Sequence, residues 1–266
     1  MPKPLIVIKL GGSALTNKRR ISTPRMHEIR RAAKQIATLG KRYSLALVHG
    51  AGSYGHIPVK KWGLEFGFTN RRQLKGLAAT KSRLLEWEMI FDSIFLRNQV
   101  PLVPLPASDF VVARNGRILS ADLRPLKNWL RIGCVPSTGG DIVTDLEKGF
   151  SVVSGDQLAT YLAIKLKASR LVFGTDVDGI FDADPRLDPQ ARILRELTTS
   201  SALRVARRAR VSTAPDVTGG MAGKIVEAVA AASKGIPVYF INLTKNDRLV
   251  KVAFSEEVLC SKILPH

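Results

Sequence analysis

Short apolar runs alternate along this chain with longer amphipathic stretches. The apolar runs have high strand propensity and predict strands at 4–10, 44–48, 101–105, 133–137, 169–174, 236–241 and 258–263. The amphipathic stretches predict helices at 24–39, 72–97, 121–131, 155–167, 198–208 and 220–234. Because strands and helices alternate, the sequence predicts an α/β fold with an open, mainly parallel central sheet and helices on both faces.

Two turn signals interrupt this alternation. Asn115-Gly116 and Glu147-Lys148-Gly149 each lie between short strand-like runs and predict β-hairpins. A chain of 266 residues is long enough for one large domain or for two small lobes around a sizeable core. No linker, internal repeat or heptad array marks a boundary, so we expect a single domain over 1–266 with a soft division near residue 168.

The composition is that of a globular protein rather than a membrane-spanning one. Hydrophobic residues make up 45% and charged residues 24% of the chain, and no apolar run approaches the ~18 residues that a membrane-spanning helix needs. The apolar segment 5–8 is too short for a signal-peptide core, so we expect a cytoplasmic protein without a membrane partner. Cys134 and Cys260 lack metal-ligand spacing and are expected to be buried free thiols.

The charge balance points to anionic partners. Lysine and arginine number 41 against 22 aspartate and glutamate residues, which gives a net charge of +19 concentrated at 18–34, 71–83 and 204–210. These clusters are not interleaved with aromatic residues, and the chain has no zinc-finger spacing or recognisable RNA-binding signature. We therefore favour a basic surface that attracts small phosphorylated substrates over a specific nucleic-acid interface, which stays as an alternative.

The segment "HGAGSYGH" at 49–56 carries a G-x-G-x-x-G pattern directly after a predicted strand. A dinucleotide-binding site would need a long helix after these glycines and a carboxylate about 20 positions further on. Pro58 and two later glycines are expected to interrupt such a helix, and residues 70–72 read Asn-Arg-Arg. The segment therefore predicts a phosphate-binding loop of backbone amides that ends in His56, with a surface histidine that caps a turn as the alternative.

A second glycine loop follows the first predicted strand in "KLGGSALTNK", residues 9–18. Ligands of parallel sheets bind at the carboxyl ends of strands, so Lys9 and the amides of Gly11, Gly12 and Ser13 are expected to converge on one anion. The spacing excludes a Walker-type P-loop. The alternative is a lysine whose ammonium group extends from the strand end into water.

Two further segments place charge near helix starts. In "DVTGGMAGKIVEAV", Lys224 is predicted in the first turn of a helix, where its charge opposes the helix dipole by about 0.3–1 kcal/mol unless an anion binds there. In "VVSGDQLA", Asp156 either caps a helix or orients two lysines. A third segment, "FGTDVDGIFDADP", places three aspartates after a strand without the spacing of a calcium-binding EF-hand.

Taken in order, these segments resemble the hallmarks of the amino acid kinase family and, within it, of the isopentenyl phosphate kinases. The resemblance covers nearly the whole chain and includes "GGD" at 139–141 and "SGD" at 154–156. The histidine that ends the second glycine loop is the most discriminating of these features. Tyr54 stands where phenylalanine is usual in these kinases.

The resemblance implies a three-layer fold and ATP-dependent phosphorylation of isopentenyl phosphate to isopentenyl diphosphate, in an alternative mevalonate pathway. It implies Mg²⁺ as cofactor, a homodimer, an acceptor lobe over 1–168 and a nucleotide lobe over 169–266. Metal ligands are left unassigned. An acceptor phosphate is already ionised at neutral pH, so no general base is required.

The resemblance also implies roles for individual residues. Five are expected to be catalytic: Lys9, Lys18, His56, Asp156 and Lys224. The residues expected along ATP are Lys9, Gly11, Gly12, Ser13, Gly174, Thr175, Asp176, Asp178, Gly179, Phe181, Gly220 and Lys224. The residues expected around the acceptor are Ala51, Gly52, Gly55, His56, Gly140 and Asp141, with Leu77, Thr80 and Leu84 along its isoprenyl tail.

Besides the nucleic-acid interface, two alternatives to this function stay open. A fosfomycin kinase resembles the same subgroup and also phosphorylates an anionic phosphorus group. A non-catalytic anion-binding protein on the same fold is the other, although four residues favour an enzyme: Lys9, Lys18, His56 and Lys224.

Overall fold

A computed structural model of the protein describes residues 3–17, 20–212 and 220–265. The strands in this part of the chain are β1 (Leu5–Leu10), β2 (Ser44–His49), β3 (Leu102–Pro104), β4 (Val111–Arg114), β5 (Arg117–Ala121), β6 (Val135–Gly139), β7 (Asp141–Asp145), β8 (Gly149–Val153), β9 (Arg170–Thr175), β10 (Glu196–Leu197), β11 (Val238–Asn242) and β12 (Ser261–Ile263). The helices are α1 (Gly12–Leu15), α2 (Met26–Gly40), α3 (Gly52–Trp62), α4 (Arg72–Arg97), α5 (Arg124–Arg131), α6 (Gly155–Lys165), α7 (Thr199–Ser212), α8 (Gly220–Ala232) and α9 (Arg248–Ala253). No helix of the described residues is long and apolar enough to span a bilayer.

Eight strands form the central sheet, in the order β10-β12-β11-β9-β1-β2-β6-β3. Every neighbouring pair in this sheet is parallel except β11 and β12, which are antiparallel. Four strands form a second, smaller sheet in the order β5-β4-β7-β8. Both predicted hairpins are found in the smaller sheet, between β4 and β5 and between β7 and β8.

Alternation of side chains along β1 explains why helices cover both faces of the central sheet. Ile6, Ile8 and Leu10 point into a core shared with α2, α4 and α9. Val7 points the other way, into a core shared with α6, α7 and α8. Successive side chains of a strand project to opposite faces, so Lys9 lies on the same face as Val7. The predicted α/β architecture with helices on both faces is confirmed.

The structure corrects several local expectations. The glycine segment after β2 was expected to lack a helix, yet α3 runs through Pro58 and ends at Gly63, which has the left-handed φ of 62° that favours glycine. Proline removes only one helical hydrogen bond while its φ stays compatible with the helix. The short elements β10 and α9 were missed. Cys134 and Cys260 are free, as expected, but they are half-buried rather than buried.

Candidate functional site

A cleft of about 1070 Å³ opens at the carboxyl ends of β1, β2 and β9. Its wall is formed by the two glycine loops, the beginnings of α6 and α8, the segment after β9, and one edge of α4. The predicted site residues on this wall are Lys9, Gly12, Ser13, Ala51, Gly52, Gly55, His56, Leu84, Gly140, Asp141, Asp156, Thr175, Asp176, Gly179, Phe181, Gly220 and Lys224.

Asp156 joins two lysines at the centre of the cleft. Its Oδ1 lies 2.8 Å from Nζ of Lys9, and its Oδ2 accepts a hydrogen bond from Nζ of Lys224 over 2.9 Å. Asp156 and Lys9 are buried, whereas the Lys224 side chain is 17% exposed. Burial by itself raises the pKa of the Asp156 carboxyl, but the charges of Lys224 and Lys9 outweigh burial and hold that pKa well below its usual range.

Local structure explains why these three side chains meet. Lys9 projects from the face of β1 that packs on α6 and α8, and Asp156 is the second residue of α6. The N-cap of α6 is Ser154, whose hydroxyl accepts a hydrogen bond from the Gln157 amide. Asp156 therefore does not cap this helix. Lys224 is the fifth residue of α8 and therefore begins its second turn rather than lying in the first. These contacts are the ones expected if Asp156 orients two lysines instead of capping α6.

The two glycine loops are in direct backbone contact. A Cβ added at Gly12 would lie 2.6 Å from the Gly52 amide nitrogen, and one added at Gly50 would lie 2.5 Å from the Gly12 amide nitrogen. Thr16 fastens the loops together, because its hydroxyl donates to the Gly12 carbonyl and accepts the amide of Ser53. Any side chain larger than hydrogen at positions 12 or 50 would push the loops apart.

Helix α3 begins inside the cleft and carries the second glycine loop into its first turn. Gly52 has φ +50°, and a Cβ there would meet the Thr16 hydroxyl at 2.2 Å. His56 is the fifth residue of α3 and lies on the cleft wall. The amides at a helix N-terminus carry a partial positive charge, so the first turn of α3 suits an anionic group.

The segment after β9 forms the opposite part of the wall. Asp176 accepts a hydrogen bond from the Ser13 hydroxyl at 3.0 Å and another from the Arg186 guanidinium at 2.7 Å. This network connects the first glycine loop to residues 182–188, which also line the cleft. Arg186 and Arg208 are cations on the wall that the sequence analysis did not single out, because neither belongs to a glycine motif.

Three of the predicted ATP-binding residues lie outside this wall. The Gly11 amide donates to the Gly174 carbonyl over 2.8 Å. The expectation that three amides converge on one anion is therefore corrected, and the amides of Gly12 and Ser13 remain for it. Gly174 packs against the Leu243 side chain. Asp178 lies 3.3 Å from the Asn242 amide and 3.7 Å from Arg248. The predicted catalytic Lys18 lies outside the described residues.

The other end of the cleft is apolar. Leu84 of α4 lines it together with Val59, Ile142 and Val152, three residues the sequence analysis missed. Leu77 instead packs in the neighbouring cluster around Leu64 and Phe150. Thr80 is fully buried, and its hydroxyl donates to the Gly76 carbonyl. Of the three residues expected along an isoprenyl tail, the structure thus places Leu84 on the cleft wall.

The Asp141 carboxylate is a hydrogen-bond acceptor and cannot donate to an anion, and its oxygens are occupied by donors from the protein itself. Nζ of Lys81 donates to both of its oxygens at 2.7 Å, and the amides of Ser108 and Ile142 donate to them at 3.0 and 2.7 Å. Any contact between Asp141 and an acceptor phosphate would therefore use the backbone.

A buried aromatic cluster supports the second glycine loop from behind. His49, the last residue of β2, accepts a hydrogen bond at Nδ1 from the Trp87 indole over 3.0 Å. Burial, together with the charge of Lys9, lowers the pKa of His49 to about 3, so its ring is neutral. Glu88 lies 3.8 Å from His49 Nε2, and burial, to which the Asp92 carboxylate adds, raises the pKa of Glu88 to about 7.

The cleft therefore offers buried and half-buried cations, backbone amides at two glycine loops and an apolar end. Among the described residues, no group of three or more histidine, cysteine, aspartate or glutamate side chains is arranged to hold a metal ion. The cations and amides of the cleft suit the alignment and charge neutralisation of two phosphorylated molecules.

Comparison with known proteins places this cleft in a family. Residues 4–242 match the model of the amino acid kinase family. The chain belongs to the amino acid kinase family. The motif-based assignment to this family is thereby confirmed.

Within the amino acid kinase family, the chain is similar to isopentenyl phosphate kinases. It is 33% identical to the isopentenyl phosphate kinase of Methanothermobacter thermautotrophicus over 267 residues, which cover 97% of this chain and 98% of the relative. The isopentenyl phosphate kinase of Arabidopsis thaliana is 31% identical over 73% of this chain and 63% of the relative.

Solved structures give the same result. X-ray structures of isopentenyl phosphate kinase align with a TM-score of 0.84 at 30% identity, over 97% of this chain and 99% of that chain. UMP kinase from Ureaplasma parvum aligns with a TM-score of 0.66 at 18% identity, a likeness that shows the fold alone.

Proposed function

We propose that this protein transfers the terminal phosphoryl group of ATP to isopentenyl phosphate and forms isopentenyl diphosphate and ADP. The observation that carries the proposal is the joining of a cationic centre to an apolar end within one cleft. A substrate with a phosphate head and a short hydrocarbon tail matches both ends. The isopentenyl phosphate kinases that are similar over nearly the whole chain support the same assignment.

The phosphoryl transfer needs alignment and charge neutralisation more than covalent help. An oxygen of the acceptor phosphate attacks the terminal phosphorus of ATP, and the bond from that phosphorus to the bridging oxygen breaks, so that ADP leaves. Lys9 and Lys224, both held and oriented by Asp156, would neutralise the charge on the transferred group. Lys18 would add a further cation.

The acceptor phosphate would bind at the first turn of α3. The helix N-terminus and the backbone around Ala51, Gly52 and Gly55 supply amide donors, and His56 on the same wall would donate a further hydrogen bond. The backbone around Gly140 and Asp141 closes this end of the site. The hydrocarbon tail would extend towards Leu84, with Leu77 and Thr80 one layer away.

ATP would occupy the part of the cleft formed by the segment after β9. Gly12, Ser13 and Gly220 would face its phosphates, and Thr175, Asp176, Gly179 and Phe181 would lie along the nucleotide. Kinase sites commonly hold Mg²⁺ with one or two carboxylates together with the substrate phosphates, and Asp176 and Asp182 are carboxylates on this wall. Bound Mg²⁺ would neutralise phosphate charge. With this assignment, residues 1–168 form an acceptor lobe and residues 169–266 a nucleotide lobe. We place the protein in the cytoplasm.

We also propose that the protein is a homodimer. Leu85, Met89 and Leu96 are 48–73% exposed, and their spacing places all three on one face of α4. An exposed apolar stripe of this kind is typical of a protein interface. Analytical ultracentrifugation of wild type and Met89→Lys would test the dimer, since a lysine in the stripe should shift the equilibrium to monomer.

The function is tested by incubating the protein with ATP, Mg²⁺ and a panel of acceptors while ADP release is measured. The panel contains isopentenyl, dimethylallyl and geranyl phosphates, fosfomycin, UMP and acetylglutamate. Highest kcat/KM with isopentenyl phosphate is expected, and a preference for fosfomycin would replace the proposal with the alternative kinase. ADP release with none of the acceptors would favour a non-catalytic anion-binding protein.

A further inference from the structure

A surface outside the cleft combines projecting apolar side chains with basic residues. Phe66 is 70%, Phe68 46% and Leu146 62% exposed. The backbone brings the two segments together, because the Phe68 amide donates to the Lys148 carbonyl over 2.8 Å and the Phe68 ring lies 6.4 Å from that of Phe150. We call these three apolar residues, with the exposed cations of the segment 60–75 that carries the phenylalanines, the basic apolar face; the cations are Lys60, Lys61, Arg71, Arg72 and Lys75.

The exposure of the two phenylalanines is built into an ordered loop. Gln73 is buried, and its Oε1 accepts the amides of Thr69 and Asn70 while its Nε2 donates to the carbonyls of Gly63 and Gly67. This single side chain fixes both ends of the segment that carries the phenylalanines. A fixed loop that holds aromatic rings in water is typical of a surface that contacts a partner.

The charge of this face selects the partner. The five cations of the face are all exposed, against two carboxylates beside it, Glu65 in segment 60–75 and the exposed Glu147 next to Leu146. A second copy of this face would bring the same charges into opposition, which disfavours self-association here. The partner should therefore be anionic and should also accept apolar side chains.

The shape of the face separates two anionic partners. Single-stranded nucleic acid stacks its bases on aromatic platforms along a groove, whereas Phe66 and Leu146 project from a short turn and a hairpin tip. Side chains that project so far are suited to insertion between lipid headgroups, where the surrounding lysines and arginines meet phosphates.

We propose that the basic apolar face docks on the surface of a bilayer that contains anionic lipids. Phe66, Phe68 and Leu146 would enter the interface, and the five cations would bind headgroup phosphates. Sequence reasoning predicted no membrane partner because it considered only spanning segments, so the proposal revises that expectation for peripheral contact.

The position of the face suggests what membrane docking would do for the enzyme. This suggestion rests on the proposed function. One layer of side chains separates the face from the apolar end of the cleft, since Val59, Ile142 and Val152 belong both to the cluster beneath the face and to the cleft wall. Prenyl phosphates partition into bilayers more strongly as their tails lengthen. Docking would therefore place the tail-binding end of the cleft beside a bilayer in which prenyl phosphates with tails longer than that of isopentenyl phosphate collect.

The test is sedimentation with vesicles of phosphatidylcholine and with vesicles that also contain phosphatidylglycerol, without ATP or acceptor. The triple variant F66S/F68S/L146S is compared with wild type and with Ile132→Ser. Ile132 is a matched control, because it is 60% exposed and follows the basic helix α5 but lies outside the face. Kinase activity on a water-soluble acceptor without vesicles serves as the folding control, so a failed docking proposal and a failed function give separate readouts.

Wild type and Ile132→Ser should sediment with the anionic vesicles, with weaker binding at higher salt, and should stay in the supernatant when mixed with pure phosphatidylcholine vesicles. The triple variant should bind the anionic vesicles about 10-fold less tightly or worse while its solution activity is retained. Equal binding of all three proteins, or no binding of wild type, overturns the proposal. Tighter binding of wild type to a single-stranded oligonucleotide, lost in the triple variant, would assign the face to nucleic acid instead.

Discussion

Nζ of Lys224 lies 2.9 Å from Oδ2 of Asp156, although 68 residues separate them along the chain. The same carboxylate holds Lys9 from the other side. One buried anion therefore fixes the distance between two cations that would otherwise repel each other, and both ammonium groups are aimed before any ligand arrives.

This relationship predicts the effect of removing Lys224. We expect Lys224→Ala to lose on the order of 10²–10³ in kcat, because a preoriented donor to the transition state is lost, while ADP still binds. Steady-state kinetics with isopentenyl phosphate and calorimetric titration with ADP measure the two quantities. Lys234→Ala, which removes an exposed lysine just after α8, should behave as wild type. Near-normal turnover of Lys224→Ala would refute the role.

His56 is expected to act on the acceptor and not on ATP. His56→Ala should lower kcat/KM for isopentenyl phosphate by on the order of 10- to 150-fold, since a charge-assisted hydrogen bond contributes roughly 1.5–3 kcal/mol. KM for ATP should stay nearly unchanged. His56→Gln keeps an N–H donor without the charge and should recover part of the loss.

His27 provides the matched control, because its side chain is 78% exposed on α2. His27→Ala should leave both Michaelis constants as in wild type. If His56→Ala changes only the KM for ATP, or neither constant, then α3 does not bind the acceptor phosphate.

Tail length should be controlled by Leu84. Leu84→Ala should raise activity on geranyl phosphate relative to isopentenyl phosphate, because each additional buried CH₂ of the longer tail contributes ~0.8 kcal/mol. Leu77→Ala should raise the ratio less, since Leu77 packs one layer behind the wall. The ratio is the right measurement, because removing a buried leucine also costs about 2–5 kcal/mol of stability. Equal ratios in wild type and both folded variants would show that these residues have only a packing role in the core.

Glu88 should make stability depend on pH. Its pKa is raised from 4.5 to about 7 in the folded protein, so the folded state favours the protonated form. The stabilisation of the folded state that comes from this raised pKa is fully present below about pH 4.5 and is lost as the pH rises through about 7. Glu88→Gln should therefore raise the free energy of unfolding at about pH 7.5 by on the order of 1–3 kcal/mol and change it little at about pH 4.5.

Urea denaturation of wild type and Glu88→Gln at the two pH values measures this difference. Glu86→Gln, an exposed neighbour on α4, should show no such pH-dependent gain. An equal difference in the free energy of unfolding between Glu88→Gln and wild type at both pH values would contradict the prediction.

The sequence by itself determined the architecture of the central sheet. Alternation along a strand and the period of 3.6 along a helix are local properties, so long elements such as α4 and β9 were predicted to within a residue or two. The glycine loops were also predicted from the sequence, because positions where two backbones are in contact accept only glycine. Composition and motif order were enough to indicate the family.

Only the tertiary structure decided which groups face the ligand. The helix α3 forms although proline and glycine discourage it locally, because Gly52 and Thr16 pack its first turn against the other glycine loop. The Gly11 amide is taken by the Gly174 carbonyl, 163 residues away. A motif gives the type and spacing of donors, but whether a donor reaches the cleft depends on contacts between segments far apart in the chain. That is why Leu84 faces the cleft and Leu77, two turns earlier on the same helix, does not.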